Sequence, residues 1–395
     1  MFSPDVFIRQ LTRLPHRGAA TANEREAARL IETYLTEAGA TVHKEAFQTP
    51  KTYVTVVYWL IGGLLVGLAL VPVTGVAIGL VWYFVLLAWR YFNWRYSFAI
   101  KFPVQHTAFN SIGRWPVTQT DETTRKVILM AHYDTAPVSF LYGTKQQASF
   151  RKSLIVSLCL MALAGLVATW EAFGAGLPYV TYLRYGLMVY FVGQAIVGTA
   201  GYWLKGYTNG ASDNATGVAA ALATADRLKN KPNLEVEVVL TSAEEVGMVG
   251  AYYYVQTHKH EWSRAHTMAI NFDTLGTGKL TVVEKTGTLE TITYDNVPTQ
   301  LARALVKTSE FRHRVQVGRW HTADFDSVWF VRNNIPVLAL CALDAEGRMP
   351  YIHQPDDTAE RVDSTPTHNA IDFAEVVVNQ WAGLSVVNKS DERSA

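Results

Sequence analysis

Long uncharged stretches stand out in the first half of the chain. The stretch from Thr52 to Trp89 contains no Asp, Glu, Lys, Arg or His, and it is almost twice as long as the roughly 20 apolar residues that cross a bilayer once as a helix. Pro72 and Gly75 fall near its middle, where they favour a tight turn between antiparallel helices. The pattern predicts a transmembrane hairpin within residues 51–92, with helices at 53–71 and 74–89.

A second pair of apolar stretches follows within residues 151–205. Residues 153–170 and 185–204 carry no charge, and residues 171–184 form the predicted connector. Aromatic residues typical of membrane interfaces lie near the ends of these four stretches, at Tyr53, Trp89, Trp170, Tyr185 and Trp203. Buried helices of a soluble core are the alternative, but stretches this long and uncharged are rare there. Two transmembrane hairpins, with four helices in all, are therefore predicted.

The rest of the chain has the periodicity of an α/β domain. An amphipathic helix is indicated by apolar residues that share one face, and Gly39 can end it: Ala27, Leu30, Ile31, Tyr34, Leu35 and Ala38. Strands are predicted at 126–131, 235–241, 267–272 and 336–340, with helices at 217–228 and 299–310. This alternation predicts a largely parallel mixed sheet flanked by helices, the fold class α/β.

The predicted domain organisation is one catalytic domain interrupted twice. Its parts are residues 1–50, 93–150 and 206–387, the hairpins are the inserts between them, and residues 388–395 form a polar tail. Because each insert is a pair of spans, all parts of the catalytic domain lie on one side of the bilayer.

Composition narrows the classes of partner. The formal net charge is +1 and no Lys/Arg-rich run occurs, which argues against nucleic acid as a partner. Two cysteines, Cys159 and Cys341, are too few for a disulfide framework and lack the spacing of a zinc site. Nothing in the sequence indicates an oligomeric state.

Polar motifs follow three of the predicted strands, at the edge where α/β sheets place ligands. His132 and Asp134 come after strand 126–131, and a carboxylate beside a histidine ligand fixes its tautomer. Glu244 and Glu245 follow strand 235–241, where one carboxylate can bind a metal while the other accepts a proton from water. A loop histidine and an exposed acidic pair are the plain structural alternatives.

Three further candidates complete the pattern. Asp213 lies in a short loop before a predicted helix, where its two oxygens can bridge two cations, although it can equally be a helix N-cap. Asp273 follows strand 267–272 and His353 comes late in the chain. The order His, Asp, Glu-Glu, Asp, His supplies nitrogen and oxygen donors without thiolates, which suits zinc in a hydrolytic site.

These motifs, in this order, resemble the M28 metallopeptidases, which include zinc aminopeptidases and the related glutaminyl cyclases. The resemblance extends over nearly everything outside the hairpins. It implies two zinc ions, one held by His132 and Asp273, the other by Glu245 and His353, with Asp213 bridging both. It further implies that Asp134 orients His132 and that Glu244 is the general base for a water held by the two metals.

The sequence departs from the family pattern at two places. The stretch from Phe325 to Phe330 lacks the histidine that the family usually has there, and Ile352 precedes His353 where the family often has Tyr. Neither departure removes a metal ligand. His321, close to the first departure, is predicted as a substrate-binding residue.

The expected activity is that of a membrane-embedded di-zinc aminopeptidase, which removes N-terminal residues from peptides, including hydrophobic ones delivered from the membrane. Three alternatives stay open: a hydrolase of amide-linked lipids or N-acyl amino acids, a cyclase that uses one zinc, and a non-catalytic membrane scaffold. Retention of both His132 and Asp273 argues against the cyclase. The complete ligand set with Glu244 argues against the scaffold.

The second hairpin places the bilayer beside the site, because it separates His132 from Asp213 in the chain. The catalytic cleft is therefore expected to open near the membrane. Basic residues on the catalytic side of the spans outnumber those opposite, where Arg184 stands alone: Lys51, Arg90, Arg95, Lys101, Lys145, Arg151, Lys152 and Lys205. This bias predicts a catalytic domain that faces the cytoplasm.

Overall fold

The computed structural model describes residues 2–115, 117, 124–174 and 177–384. The predicted tail at 388–395 lies outside these residues. Within them, nine strands form one mixed sheet: β1 (Thr41–Thr49), β2 (His106–Trp115), β3 (Arg125–His132), β4 (Leu234–Thr241), β5 (Thr267–Phe272), β6 (Lys279–Thr286), β7 (Ile292–Thr293), β8 (Val315–Arg319) and β9 (Val337–Leu343).

The centre of the sheet is parallel. The strand order is β1-β2-β4-β3-β5-β9-β6-β7, with β8 also paired to β6. Strands β4, β3, β5 and β9 run parallel to their neighbours in this series, whereas β1, β2 and β6 join in antiparallel pairs. The predicted α/β class with a largely parallel mixed sheet is confirmed, and the four predicted strands correspond to the four parallel ones.

Helices cover both faces of the sheet. The helices of the catalytic part are α1 (Pro4–Leu11), α2 (Ala22–Glu37), α7 (Thr216–Leu228), α8 (Val249–His258), α9 (Val297–Val306), α10 (Val328–Arg332) and α11 (Thr365–Ala382). Strand β3 shows how the sheet serves both layers, because Leu129 packs into the core on one face and Met130 into the core on the other.

Four apolar helices form the two inserts: α3 (Tyr53–Leu70), α4 (Val76–Phe92), α5 (Thr144–Phe173) and α6 (Pro178–Lys205). Among the described residues, α3, α5 and α6 are long and apolar enough to cross a membrane, and α4 is a shorter apolar helix of 17 residues. Gly63 of α3 lies directly against the Phe84 ring of α4, so that a Cβ at this position would stand 2.0 Å from a ring carbon. Such close approach at small residues is typical of helix packing in membranes.

The connector of the second hairpin is shorter than predicted. Helix α5 continues to Phe173 and α6 already begins at Pro178, so the expected connector at 171–184 is wrong in its bounds. The charged residues that suggested a loop lie within the helices, because the Arg184 Nε donates to Glu171 Oε2 over 2.7 Å and the Arg184 Nη1 donates to the Leu68 carbonyl oxygen over 2.9 Å. Mutual neutralisation allows both charges in continuous helices.

Candidate metal centre

All five predicted metal ligands meet at the carboxyl edge of the parallel strands. His132 is the last residue of β3, Asp273 directly follows β5, and Glu245 lies in the turn after β4. Asp213 comes from the loop before α7, and His353 from the segment after β9. The strand order explains why His132, Glu245 and Asp273 lie close together, because β4, β3 and β5 are adjacent and end at the same edge of the sheet.

Asp213 stands between the two histidines. Its Oδ1 lies 3.2 Å from His132 Nε2, and its Oδ2 lies 3.3 Å from His353 Nε2. His132 Nε2 is also 3.7 Å from Asp273 Oδ2, and His353 Nε2 is 3.1 Å from Glu245 Oε2. The candidate centre thus consists of two adjoining groups of side chains that share the Asp213 carboxylate.

The donor set fits cations. One ligand atom each from His132, Asp213 and Asp273 lies within 4.8 Å of the others, and the same holds for Asp213, Glu245 and His353. Within the described part of the chain, Glu245 Oε1 and His353 Nδ1 are buried and make no hydrogen bond. Several buried carboxylates around two imidazoles are costly without a positive charge between them, so the residues present fit bound metal ions.

Burial and neighbouring charges shift the pKa values of the carboxyl groups in the centre. Burial and the Asp213 charge raise the pKa of Asp273 to about 7 and that of Glu245 to about 7, although a neighbouring histidine opposes the shift in each case. Burial would also raise the pKa of Asp213, but the hydrogen bonds from both histidines lower it far below its usual range. The bridging carboxylate is therefore held ionised.

Glu244 belongs to the same centre. It forms a third close group with His132 and Glu245, and its side chain lines the cavity described below. Burial raises the pKa of Glu244 well above its usual range, and the neighbouring Glu245 adds to the shift while His132 opposes it. A carboxyl group with a raised pKa beside a metal centre is suited to accept and return a proton.

Asp134 connects the ends of two strands. Its two carboxylate oxygens accept hydrogen bonds from the backbone N–H groups of Glu244, over 3.1 Å, and Glu245, over 3.3 Å. Asp134 Oδ1 also lies 3.6 Å from His132 Nδ1, which is 3.2 Å from the Asp134 carbonyl oxygen. Asp134 therefore faces the His132 ring, as predicted, and it also holds the turn that presents both glutamates.

Two positioning residues were not predicted from the sequence. Asp357, buried near the end of the His353 segment, accepts hydrogen bonds from the backbone N–H groups of Ser212, over 2.6 Å, and Asp213, over 3.1 Å. Arg17, also buried, donates to the carbonyl oxygens of Tyr133 and Gly210, each over 2.8 Å. Asp357 stands four residues after His353 in the sequence, but no local pattern indicates that Arg17, near the N-terminus, reaches the site.

A buried aromatic side chain next to His353 was also not predicted from the sequence. Tyr142 follows the end of β3 in the chain, and its ring centroid lies 4.2 Å from that of His353. Tyr351, next to the family departure at Ile352, instead has the Arg361 guanidinium over its ring at 5.8 Å. Tyr142, not Tyr351, is the tyrosine that accompanies His353.

His321 lies next to residues of the cavity lining. Its Nδ1 is 3.4 Å from the Gly287 carbonyl oxygen. Its neighbours Trp320 and Ala323 are among the described residues that line the cavity. A substrate-binding role for His321 stays a prediction.

A cavity of about 280 Å³ opens from the centre towards the inserts. Both histidines and all four carboxylates of the centre line it at one end. Residues of α3, α4, α5 and α6 line the remainder. The cleft thus lies beside the apolar helices, as the position of the second insert in the chain predicted.

The fold resembles solved hydrolase and cyclase structures. An aminopeptidase from Aneurinibacillus sp. strain AM-1 aligns with a TM-score of 0.56 and 14% identity, over 98% of this chain and 96% of that one. The zinc aminopeptidase BSAP from Bacillus subtilis gives 0.55 and 14%, over 95% and 94%. A glutaminyl cyclase from Bacteroides thetaiotaomicron gives 0.56 and 14%, over 95% and 96%. No curated protein sequence matches the chain.

The fold of the chain is similar to that of these aminopeptidases. Residues 194–378 match the sequence model of peptidase family M28. This match covers a little under half of the chain. The matched residues include Asp213, Glu244, Glu245, Asp273 and His353, whereas His132 and Asp134 precede them.

Proposed function

We propose that the protein is a membrane-embedded di-zinc aminopeptidase that hydrolyses N-terminal peptide bonds. The observation that carries this proposal is the shared position of Asp213 between two histidine and carboxylate groups. His132 and Asp273 would hold one zinc, Glu245 and His353 the other, and Asp213 would contact both. Bound zinc polarises a substrate carbonyl and lowers the pKa of the attacking water.

Glu244 is the residue that moves the proton in this proposal. Its carboxylate accepts a proton from the attacking water and then returns it to the nitrogen of the leaving amine. Burial keeps bulk water away from this carboxylate, and the Glu244 backbone N–H bonded to Asp134 fixes its position. Loss of a general base of this kind costs roughly a hundredfold to ten-thousandfold in rate.

The four apolar helices are proposed as membrane spans. At 1.5 Å per residue, the 17 residues of α4 reach about 26 Å, slightly short of a hydrocarbon core of roughly 30 Å, a mismatch that a bilayer accommodates at modest cost. Large apolar side chains on the outer faces support lipid contact, since Leu166 is 59% exposed and Val189 73% exposed. The basic flanks favour a catalytic domain on the cytoplasmic side.

Activity and metal dependence test the proposal together. Full-length protein in lipid nanodiscs, stripped of metal by a chelator and titrated with zinc, is assayed for free amino acids released from aminoacyl amides and a peptide mixture. We expect activity to rise until two zinc ions are bound per chain. Zinc-loaded protein that releases no amino acid from any of these substrates contradicts the proposal.

Glutaminyl cyclisation is the second candidate, because a glutaminyl cyclase is among the proteins with a similar fold. A peptide with N-terminal glutamine separates the two reactions in one assay. Hydrolysis releases free glutamine, whereas cyclisation releases ammonia and leaves the peptide chain intact. We expect free glutamine, since His132, Asp273 and Asp213 are all available for a first zinc beside the second group.

A further inference from the structure

The cavity at the metal centre continues between the apolar helices. Beyond the ligands it is lined by Leu60 and Ile61 of α3, Leu158 and Met161 of α5, and Phe191 of α6. Leu60, Met161 and Phe191 are themselves buried within the bundle. The cavity is therefore a continuous space that joins a hydrolytic centre to the interior of the proposed membrane domain.

The depth of this space exceeds the length of one amino-acid side chain. Tyr53, at the catalytic end of α3, and Ile61 both line it, and eight residues of helix correspond to about 12 Å. Thr199 and Phe191 of α6 give the same depth of about 12 Å from an independent helix. A substrate that fills the cavity must carry an extended group of this length.

The lining of the deep part favours hydrocarbon over peptide. Each residue of an extended peptide would bring one N–H and one C=O group, and buried backbone groups without partners are costly. The polar side chains at this depth are bonded to one another, since Ser157 Oγ lies 2.8 Å from Gln194 Oε1 and 3.0 Å from the Tyr190 hydroxyl. A hydrocarbon chain needs no such partners.

A second groove, on the outer face of the bundle, adjoins the cavity. Leu158 lines the cavity on its inner side and a second, outward groove between α4 and α5, together with Trp82, Leu86 and Trp89. Leu86 is 52% exposed and Trp89 42% exposed, so this groove faces the proposed bilayer. Leu158 is thus part of the wall between the cavity and the lipid.

We propose that the substrate is an amide with one long hydrocarbon chain, which lies between α3, α4, α5 and α6 while the amide reaches the metal centre. This inference rests on the metal-dependent amide hydrolysis of the proposed function and specifies its substrate. A chain in the amine part keeps the aminopeptidase reaction, whereas a chain in the acyl part makes the protein a hydrolase of N-acyl amino acids. Water adds across the C–N bond, the hydroxyl oxygen bonds to the carbonyl carbon, the nitrogen gains a proton, and a carboxylate and an amine are released. The chain belongs to either the acyl or the amine part.

Two series of substrates test the inference with zinc-loaded full-length protein in nanodiscs. One series comprises acetyl-, butanoyl-, octanoyl- and dodecanoyl-glycine, and the other comprises leucine alkylamides with the same chain lengths. We expect kcat/KM to rise at least about a hundredfold from the shortest to the longest member of one series. Burial of each methylene contributes at most roughly fourfold, so the additional methylenes of the longest member can supply this increase in full. The series that responds identifies the part that carries the chain.

Two tryptophan variants separate the cavity from partition into the bilayer. Met161→Trp shortens the cavity, whereas Leu166→Trp on the same helix points outward and serves as the matched control. We expect the ratio of kcat/KM for the longest over the shortest substrate to fall at least about tenfold in Met161→Trp and to stay at the wild-type ratio in Leu166→Trp.

The outcomes distinguish this inference from the proposed function. Hydrolysis of short amides with no dependence on chain length in the wild-type protein overturns the inference and leaves the proposed function standing. An unchanged ratio in folded Met161→Trp overturns it as well. If no amide of any length is hydrolysed, the proposed function falls and the inference falls with it. If Met161→Trp does not fold, the absence of a chain-length effect in the wild-type series still overturns the inference.

Discussion

Asp213 is the residue on which both halves of the metal centre depend. Each of its carboxylate oxygens faces a different histidine, at 3.2 and 3.3 Å, and Asp357 fixes the Asp213 backbone N–H. A single side chain therefore determines the distance between the two ligand groups. Substitution at Asp213 should affect both groups, whereas substitution at Asp273 should affect one.

We predict that Asp213→Asn abolishes stoichiometric zinc binding. Loss of one anionic bridge removes a ligand from both groups, whereas Asp273→Asn, the matched control, removes a ligand from the His132 group alone. Zinc per chain, measured by elemental analysis of dialysed protein, should fall from two to nearly none in Asp213→Asn and to one in Asp273→Asn. Equal zinc content in both variants contradicts the shared bridge.

Asp134 contacts both the His132 ring and the turn that carries the two glutamates. Asp134→Asn retains one oxygen acceptor but loses the negative charge beside His132 and one of the two N–H contacts to the glutamates. Such outer partners are typically worth about tenfold to a hundredfold in metal affinity or activity. Zinc competition with a fluorescent chelator should show a loss in this range, and an affinity equal to that of the wild type would mean that Asp134 has no such role.

Glu24 gives a prediction for pH. It is buried, it accepts a hydrogen bond from the Tyr133 hydroxyl over 2.8 Å, and burial raises its pKa to about 7. A raised pKa means that the folded state favours protonated Glu24. The contribution of Glu24 to the free energy of unfolding is therefore complete below the usual pKa of a glutamate and is lost as the pH rises towards 7.

Glu24→Gln should therefore gain stability over the wild type as pH rises. We expect no difference near pH 4 and a difference of roughly 3 kcal/mol above pH 7, measured by thermal unfolding across this range. Glu26→Gln is the matched control on the same helix, because Glu26 is exposed and pairs with Arg29 at the surface. A Glu24→Gln curve parallel to the wild-type curve contradicts the assignment.

At the scale of elements, the second hairpin is held by a buried ion pair. Arg184 bonds Glu171 of the neighbouring helix and the Leu68 carbonyl oxygen of α3, so it joins both hairpins. Removal of one partner leaves a buried charge without a counterion. The pair is thus a structural device of the bundle rather than part of a loop.

We predict that Arg184→Met destabilises the protein by about 3 kcal/mol or more, and that the double variant Arg184→Met with Glu171→Leu recovers most of the loss. The measurement is thermal unfolding in a mild detergent, with both variants compared at one protein concentration. A double variant as unstable as the single one would show that the Leu68 contact, not the ion pair, holds the hairpins together.

Sequence patterns predicted some helices and strands correctly and missed or misjudged others. The four parallel strands were predicted because buried strands are largely apolar segments, and three of them are followed by a polar motif. Strand β1 was missed, since it lies at the edge of the sheet and most of its residues are polar. The bounds of α5 and α6 were misjudged because a charged pair that neutralises itself across two helices looks like a connector in one dimension.

Ligand residues were predictable, and their partners were not. The candidate ligands were named because their motifs follow strands or precede a helix and, in this order, resemble those of the M28 metallopeptidases: His132, Asp213, Glu245, Asp273 and His353. Arg17 and Tyr142 reach the centre through tertiary packing, which leaves no local pattern. The substrate-binding role of His321 stays a prediction, since its ring contacts the Gly287 carbonyl oxygen while its neighbours Trp320 and Ala323 line the cavity.

At the scale of the whole molecule, the inserts and the catalytic part share one cavity. The proposed topology places the turn between α3 and α4 on the far side of the bilayer and the catalytic domain in the cytoplasm. Val73 lies in that turn and is 79% exposed, and Arg264 is an exposed residue of the catalytic part. These two positions report on opposite sides of the membrane.

We predict that Val73→Cys reacts with a membrane-impermeant maleimide on intact cells, and that Arg264→Cys reacts only after permeabilisation. Both substitutions are made in a Cys159→Ser background, since Cys159 is a native exposed thiol and Cys341 is buried. The opposite labelling pattern would reverse the orientation, and labelling of both on intact cells would contradict membrane spanning.

The most direct test of a two-zinc hydrolase with Glu244 as its base is the Glu244→Gln variant in nanodiscs. Gln keeps the shape of the side chain but cannot accept the proton from water. We predict that Glu244→Gln binds two zinc ions per chain and hydrolyses amides roughly a hundredfold to ten-thousandfold more slowly than the wild type. Wild-type rates in a variant with both zinc ions in place would contradict it.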